Sequence, residues 1–404
     1  MNIMIINCHW NNRGDESAIR AMIDELKVCF PGVHFYVQCA TGTFIDFPKI
    51  DNTEVLDAFP SGKRHIVSDM IAAFTRGRVC LNANARQFFN ALNNSAVVLH
   101  APGGPSIGDI YLKNEKRKLL RLLSVKWAGV PYVFYAPSMG PFNNRTRNIF
   151  RKKILKGAKL ICLREELSKK MVKDFIPELE PVVTLDSAFQ HDIDISGNSE
   201  LLRSYTELNE FISDKNVIGI TVTDLQWNSK YKGNAEIQET IRDTFNSFVL
   251  RLTGEGYKVL FIPQLFGGAN DYEYMSTFRI NDNVFVMSDK YDCYFQQYII
   301  SRLKAVIGMR YHSNIFSAKM GTPFISVSYE QKMVGFMEKA ELMKYCININ
   351  ELSSEVLNEK FDLLLSSYDD YKSELAKKRV QFKEQSHKTT DLVAQIINDE
   401  LAKN

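Results

Sequence analysis

The stretch AVIGMRYHSNIFSAKMGTPFISVSY (305–329) decides the fold class. AVIGM (305–309) and FISVSY (324–329) are short, continuous apolar runs of strand length. Residues 313–320 between them read as a helix that Gly321 stops and Pro323 terminates. Apolar strands joined by helices build a largely parallel sheet covered on both faces.

The same alternation extends outward in both directions. Upstream, NVIGITVT (216–223), YKVLFIP (257–263) and NVFVMS (283–288) read as strands, with helices over 234–253 and 292–303. The first half repeats the pattern with strands at 2–7, 34–39, 96–101, 132–137, 159–163 and 181–185. Ile19, Met22, Ile23 and Leu26 fall at i, i+3, i+4, i+7, one face of a helix that follows the turn NNRGD. The polar run HDIDISGNSE (191–200) reads as a linker. The expectation is therefore an α/β protein of two domains facing a cleft. Residues 1–195 form an N-terminal α/β domain, 196–353 a C-terminal α/β domain, and 354–404 a charged helical tail packing on the body.

Composition agrees. At 404 residues the chain exceeds the size of one hydrophobic core, and 45% hydrophobic with 24% charged residues is ordinary for a globular protein. A net charge of +3, with no run of five or six basic residues, gives no reason to expect nucleic-acid binding. Seven scattered cysteines without CxxC spacing suit a reducing compartment and neither a disulfide framework nor a zinc site. No apolar run is long enough to span a bilayer, so the expected location is cytoplasmic, with docking on a membrane surface left open.

The chemistry-bearing residues sit where strands end. Arg310, Tyr311 and His312 follow the strand AVIGM, and a helix starts near Ser313. A helix N-terminus offers free N–H groups to an anion, arginine adds a planar charged fork, and histidine gives or takes a proton near neutral pH. A buried ion pair for Arg310 and a core histidine for His312 are the competing readings. Arg164 in KLICLREELS also follows a strand; it either serves an anion or pairs with Glu165 or Glu166. Two loops, NCHWNNRGDES (7–17) and HAPGGPSIGDIY (100–111), carry Asn11, Asp15, Glu16, Gly103, Gly104, Ser106 and Asp109, groups suited to sugar hydroxyls or to tight turns. Glu330 and Lys332 in YEQKM either reach a ligand or solvate a loop. Neither loop is a dinucleotide or P-loop fingerprint, and neither metal-ligand spacing nor a GxSxG elbow is present.

Together these motifs resemble the polysaccharide pyruvyl transferase family. They are Asn11, Arg13, Gly14, Asp15 and Glu16, then HAPGGPSIGD, GVPYVFYAPSMGPF, LREELS, VTLDSAF and GMRYHSNIFSAKMGTPFISVSYEQKM. The resemblance implies two Rossmann-like domains in a GT-B-like arrangement. It also implies phosphoenolpyruvate as donor substrate, no further cofactor or metal, and a pyruvate ketal bridging two hydroxyls of a glycan. On that basis His312 is the expected general acid, and Asp15, or Glu16 beside it, the group that deprotonates the acceptor. Arg310, Tyr311 and Ser313 are expected to hold phosphoenolpyruvate on the C-terminal side, with Arg164 of the N-terminal domain contributing from across the domain interface. Asn11, Glu16, Gly103, Gly104 and Asp109 are expected to bind a lipid-linked or nucleotide-linked acceptor of capsule or exopolysaccharide synthesis. A GT-B-type glycosyltransferase using a nucleotide sugar and a non-catalytic glycan-binding protein are the alternatives.

Overall fold

The computed structural model describes residues 1–39, 47–57, 63–110, 112–228, 230–267 and 270–403, without the side chains of residues 63, 64, 105, 106, 113 and 114. The chain divides into two compact units. The first comprises Met1–Trp10, Asp15–His191 and Glu384–Asn404; the second comprises Asn11–Gly14 and Asp192–Lys383.

The first unit holds strands β1 (Asn2–Cys8), β2 (His34–Cys39), β3 (Thr53–Leu56), β4 (Val97–His100), β5 (Gly103–Ile107), β6 (Tyr132–Phe134), β7 (Pro137–Met139), β8 (Leu160–Leu163) and β9 (Val182–Val183). Seven of them make one sheet in the order β3-β2-β1-β4-β6-β8-β9, every neighbour parallel. The central strands β1 and β4 are buried almost throughout, as their unbroken apolar runs require. Strands β5 and β7 stand apart as a two-stranded parallel pair.

The second unit holds β10 (Val217–Thr221), β11 (Lys258–Phe261), β12 (Val284–Val286), β13 (Ala305–Gly308), β14 (Phe324–Ser328) and β15 (Cys346–Asn348). Its sheet runs β12-β11-β10-β13-β14-β15, again all parallel. Read within each unit, both orders are those of a doubly wound Rossmann-like sheet, which reverses direction beside its first strand: between β1 and β4, and between β10 and β13. The carboxyl ends of those strand pairs are where such sheets bind ligands.

Several expectations change in detail. Residues 191–200 contain little linker, because the Asp194 carboxylate accepts from Gly197 N and caps a helix over Ile195–Ser204. Strand β3, with Glu54 and Val55 exposed at the sheet edge, gave too short a signal to read. The loop HAPGGPSIGDIY holds strand β5; Gly108, at φ +144°, lies so close to the Gly140 carbonyl that no side chain fits there. Asn11–Gly14 leave the first unit because Asn12 forms an antiparallel bridge with Leu265, and Arg13 N donates to the Gln264 carbonyl at 2.8 Å.

The tail is two helices, Ser354–Ser366 and Tyr368–Leu401, and the second belongs to the second unit up to Lys383 and to the first from Glu384. In the second unit it buries Tyr371, Leu375 and Phe382; in the first it buries Val393 and Ile397. Each such side chain contributes about 1.5–3 kcal/mol of hydrophobic stabilisation. Polar contacts fix the register. Ser386 Oγ donates to the Asp186 carbonyl at 2.7 Å, and Gln190 Nε2 donates to the Ser386 carbonyl at 2.7 Å. In the second unit the buried Tyr371 hydroxyl donates to the Phe324 carbonyl at 2.7 Å and accepts from Phe324 N at 3.3 Å. Tyr371→Phe strands both backbone groups, and a loss of about 1–3 kcal/mol in urea unfolding is expected; an unchanged midpoint would contradict this account of the tail.

Candidate active site

In the second unit the carboxyl ends of β10 and β13 carry Thr221, Thr223, Arg310 and His312. The helix after β13 begins at Tyr311, two residues earlier than the sequence suggests, with Arg310 as its N-cap residue and no side-chain cap. Tyr311, His312 and Ser313 therefore form its first turn. Ser313 Oγ donates to the Arg310 carbonyl at 2.6 Å and lies 2.7 Å from Thr221 Oγ1, so its hydroxyl serves the junction itself. Thr221 Oγ1 also accepts from Met309 N at 3.1 Å and Arg310 N at 3.3 Å. Gly308 is obligatory here, since a side chain would overlap the Asn314 amide.

Arg310 is buried, and its contacts are those of an ion pair. Its Nε donates to Asp271 Oδ2 at 3.0 Å, and Nη2 reaches Asp271 Oδ1 and Thr223 Oγ1, the latter at 3.2 Å. The guanidinium lies over Trp227, 4.9 Å from the ring centroid. Burial acts to lower its pKa, but Asp271 and then Tyr329 outweigh it and hold the pKa above the ordinary value. The arginine is a permanent cation fixed by a forked ion pair, with Nη1 the nitrogen that neither Asp271 nor Thr223 engages.

His312 is buried between Tyr311 and Phe316, and Gly14 packs against it. Any side chain at position 14 would overlap the imidazole. Asn11 contributes its backbone: its carbonyl accepts from Phe266 N at 3.0 Å. Arg13 also belongs to this unit, its guanidinium bonded to the Asp289 carbonyl and 5.4 Å from the Phe266 ring centroid. Glu330 accepts from Asn228 Nδ2 at 3.1 Å and pairs with Lys332 at 2.6 Å, contacts that hold a loop. Beside Asp271, a pocket of about 570 Å³ is lined by Thr223, Asp224, Trp227, Lys232, Glu273 and Tyr274, among others.

Asp15, Glu16, Gly103, Gly104, Asp109 and Arg164 belong to the first unit. Gly103, at φ +129°, lies against Asp15, and a Cβ there would come within 2.7 Å of Oδ1. Glu16 is fully buried, with Arg20 Nη1 at 3.5 Å. Asp109 holds its loop: Oδ1 accepts from Arg151 Nη2 at 2.8 Å and Oδ2 from Asn143 N at 2.5 Å. The side chain of Ser106 lies outside the described residues. Arg164 is buried and pairs with Asp186. Its Nη1 donates to Asp186 Oδ2 at 2.7 Å and Nε to Ser138 Oγ at 2.8 Å, because Asp186 of VTLDSAF is brought beside it.

Sequence reasoning missed a cationic cluster at the carboxyl ends of β1 and β4. Lys118 Nζ lies 2.9 Å from His9 Nε2, and Arg121 Nη1 donates to Asn7 Oδ1 at 3.3 Å. The Lys118 ammonium, followed by burial, holds the His9 pKa well below its usual value, so a neutral imidazole accepts from the ammonium. Burial lowers the pKa of Lys118 to about 8 and of His100 to about 3. A faint signal existed: on the helix Leu112–Ala128, Glu115, Lys118, Leu122 and Val125 share one buried face, and charged residues within such a stripe mark a polar site.

The two sheets define the class. A glycosyltransferase from Rickettsia africae is similar in structure over 100% of this chain and 99% of its own, with a TM-score of 0.60 and 12% identity. The UDP-GlcNAc 2-epimerase from Neisseria meningitidis gives a TM-score of 0.55 at 13% identity, with both chains covered fully. The fold is thus that of the Rossmann-like, GT-B class of glycosyltransferases and epimerases. Within it, residues 12–331 match the polysaccharide pyruvyl transferase family model, and the chain belongs to that family. The amylovoran biosynthesis protein AmsJ of Erwinia amylovora is 22% identical over 409 aligned positions, covering 93% of this chain and 95% of AmsJ.

Removing Asp271 would leave a buried guanidinium without its counter-ion. For Asp271→Ala a loss of about 3–5 kcal/mol is expected in chemical unfolding; a change under about 1 kcal/mol would show that the pair does not organise the site.

Proposed function

We propose that this protein transfers the enolpyruvyl group of phosphoenolpyruvate to two hydroxyls of a glycan, forming a pyruvate ketal in exopolysaccharide biosynthesis. The observation that carries the reading is the family match over residues 12–331, which contains every proposed reacting group. The biosynthetic role of AmsJ supports the polysaccharide context.

In this reading the helix N-terminus at Tyr311 and the Arg310 guanidinium supply positive potential for a small, multiply charged anion. Arg164 is proposed as a further cation for the same donor. His312 protonates the methylene carbon, and C2 becomes an oxocarbenium-like centre. The first sugar hydroxyl adds to C2 and loses its proton to Asp15, the proposed base. The C2–O bond to phosphate breaks, the second hydroxyl closes the ring and its proton reloads the imidazole, while the proton held by Asp15 passes through solvent to the released phosphate. Asn11, Glu16, Gly103 and Gly104 are proposed to line the acceptor side, while Asp109 acts through its loop.

Phosphate release from phosphoenolpyruvate should require an acceptor glycan bearing two suitably spaced hydroxyls. His312→Gln should lower that rate by about 100-fold or more at an unchanged melting temperature; full activity in the variant would remove the proposed acid. Gly14→Ala should also lower turnover, because the added methyl must displace the imidazole, and its crystal structure should show the ring moved. Stabilisation by UDP- or GDP-sugars in a thermal shift, with none by phosphoenolpyruvate, would favour the nucleotide-sugar reading instead.

A further inference from the structure

Residues 63–159 carry a charge that the chain as a whole conceals. They hold eighteen lysines and arginines against three carboxylates, Asp69, Asp109 and Glu115, a net of +15. The other 307 residues carry 32 basic and 44 acidic side chains, a net of −12. Two of the three carboxylates are consumed locally. Glu115 lies between Arg147 and Arg151, and Asp109 pairs with Arg151. Lys156 and Lys159 reach Glu178 and Glu400. Arg76, Arg78, Lys116, Arg145, Lys152 and Lys153 remain exposed on the same unit.

The same region is apolar where a surface is normally polar. On the helix Lys63–Phe74, Val67, Met70, Ile71 and Phe74 fall at i, i+3, i+4, i+7, and they are 57%, 54%, 36% and 84% exposed. This stripe faces outward, the reverse of a helix packing on a core. It borders a groove of about 720 Å³ floored by Leu119, Leu123 and Trp127 and walled by Phe150 of the helix Arg145–Leu155. Ile149, 69% exposed, adjoins it in sequence, and Lys153 lies 5.7 Å from the Trp127 ring centroid.

We propose that this groove and its basic rim dock on the surface of an anionic phospholipid bilayer. An outward apolar stripe among lysines and arginines suits the boundary between headgroups and acyl chains, where the side chains enter and the cations meet phosphates. Charge complementarity decides among occupants. A second copy would bring two strongly basic faces together, and a nucleic acid would leave Phe74, Met70 and Phe150 in water. The inference rests on the groove and the charge alone, whatever the donor proves to be. It gives the proposed acceptor a source: a glycan carried on a membrane lipid.

The test is flotation of the full chain with vesicles of phosphatidylcholine alone or with one third phosphatidylglycerol, neither glycan nor phosphoenolpyruvate being present. Partitioning should be about ten-fold stronger on the anionic vesicles and should weaken with added salt. Phe74→Ser with Phe150→Ser, and separately Lys152→Glu with Lys153→Glu, should each lower it about ten-fold at an unchanged melting temperature. Equal partitioning on both vesicles, or none on either, would overturn the proposal. So would a dimer in light scattering that the Phe74 and Phe150 substitutions dissociate, or tight RNA binding without lipid binding. Vesicle binding with no enolpyruvyl transfer would leave the docking standing and remove the reaction.

Discussion

The second unit's site hangs on one carboxylate. Asp271 Oδ2 accepts from Arg310 Nε at 3.0 Å, Gln264 N at 3.1 Å and Leu265 N at 2.9 Å. Those backbone groups belong to the segment that Asn12 and Arg13 join, through the Asn12–Leu265 bridge and the Arg13 N–Gln264 carbonyl bond. The next residue, Gly14, packs on His312. One buried anion therefore fixes the arginine directly and sets the position of the imidazole through two stretches of backbone. A buried charge pair is costly to assemble and contributes little net stability, but breaking it is expensive. Its role here is geometric: it holds a permanent cation and a titratable ring at the end of the same strand.

This dependence explains the composition of the motif around Gly14. Asn11 and Arg13 act through backbone contacts and packing in the second unit, whereas Asp15 lies on Gly103 in the first. Residues that look like a polar, hydroxyl-binding loop thus also hold backbone. The same holds for Ser313 and Asp109, whose side chains are satisfied within their own junctions. Polar residues after a strand are ambiguous in a sequence because a turn and a ligand ask for the same donors and acceptors.

Much of the fold was legible for a simple reason. Strands buried on both faces are written as unbroken apolar runs, so β1, β4, β10, β13 and β14 announce themselves, as does the helix that Gly321 ends. What escaped was short or exposed: β3 at an edge, β5 within a glycine loop, and the helix Lys63–Phe74 with its outward stripe. The site was half legible. Arg310 and His312 are adjacent to a strong strand signal, but Asp271 lies 39 residues away and His9 is 109 residues from Lys118. Nothing local in either segment forecasts the partner.

Net charge misled in a related way, since a sum discards position. A total of +3 is compatible with an evenly mixed surface and also with a +15 segment balanced elsewhere, and only the second creates a field. Electrostatic attraction to a surface falls off over about 8–10 Å in physiological salt, so the charges that matter are those within that distance of the contact. The lysines and arginines of the helices Leu112–Ala128 and Arg145–Leu155 accompany the groove on the same unit. The acidic residues that balance the total lie in the remaining 307 positions, and of these Glu178 and Glu400 pair with Lys156 and Lys159 of the basic segment. For a chain of this length, charge read in windows of about one domain carries physical information that the total does not.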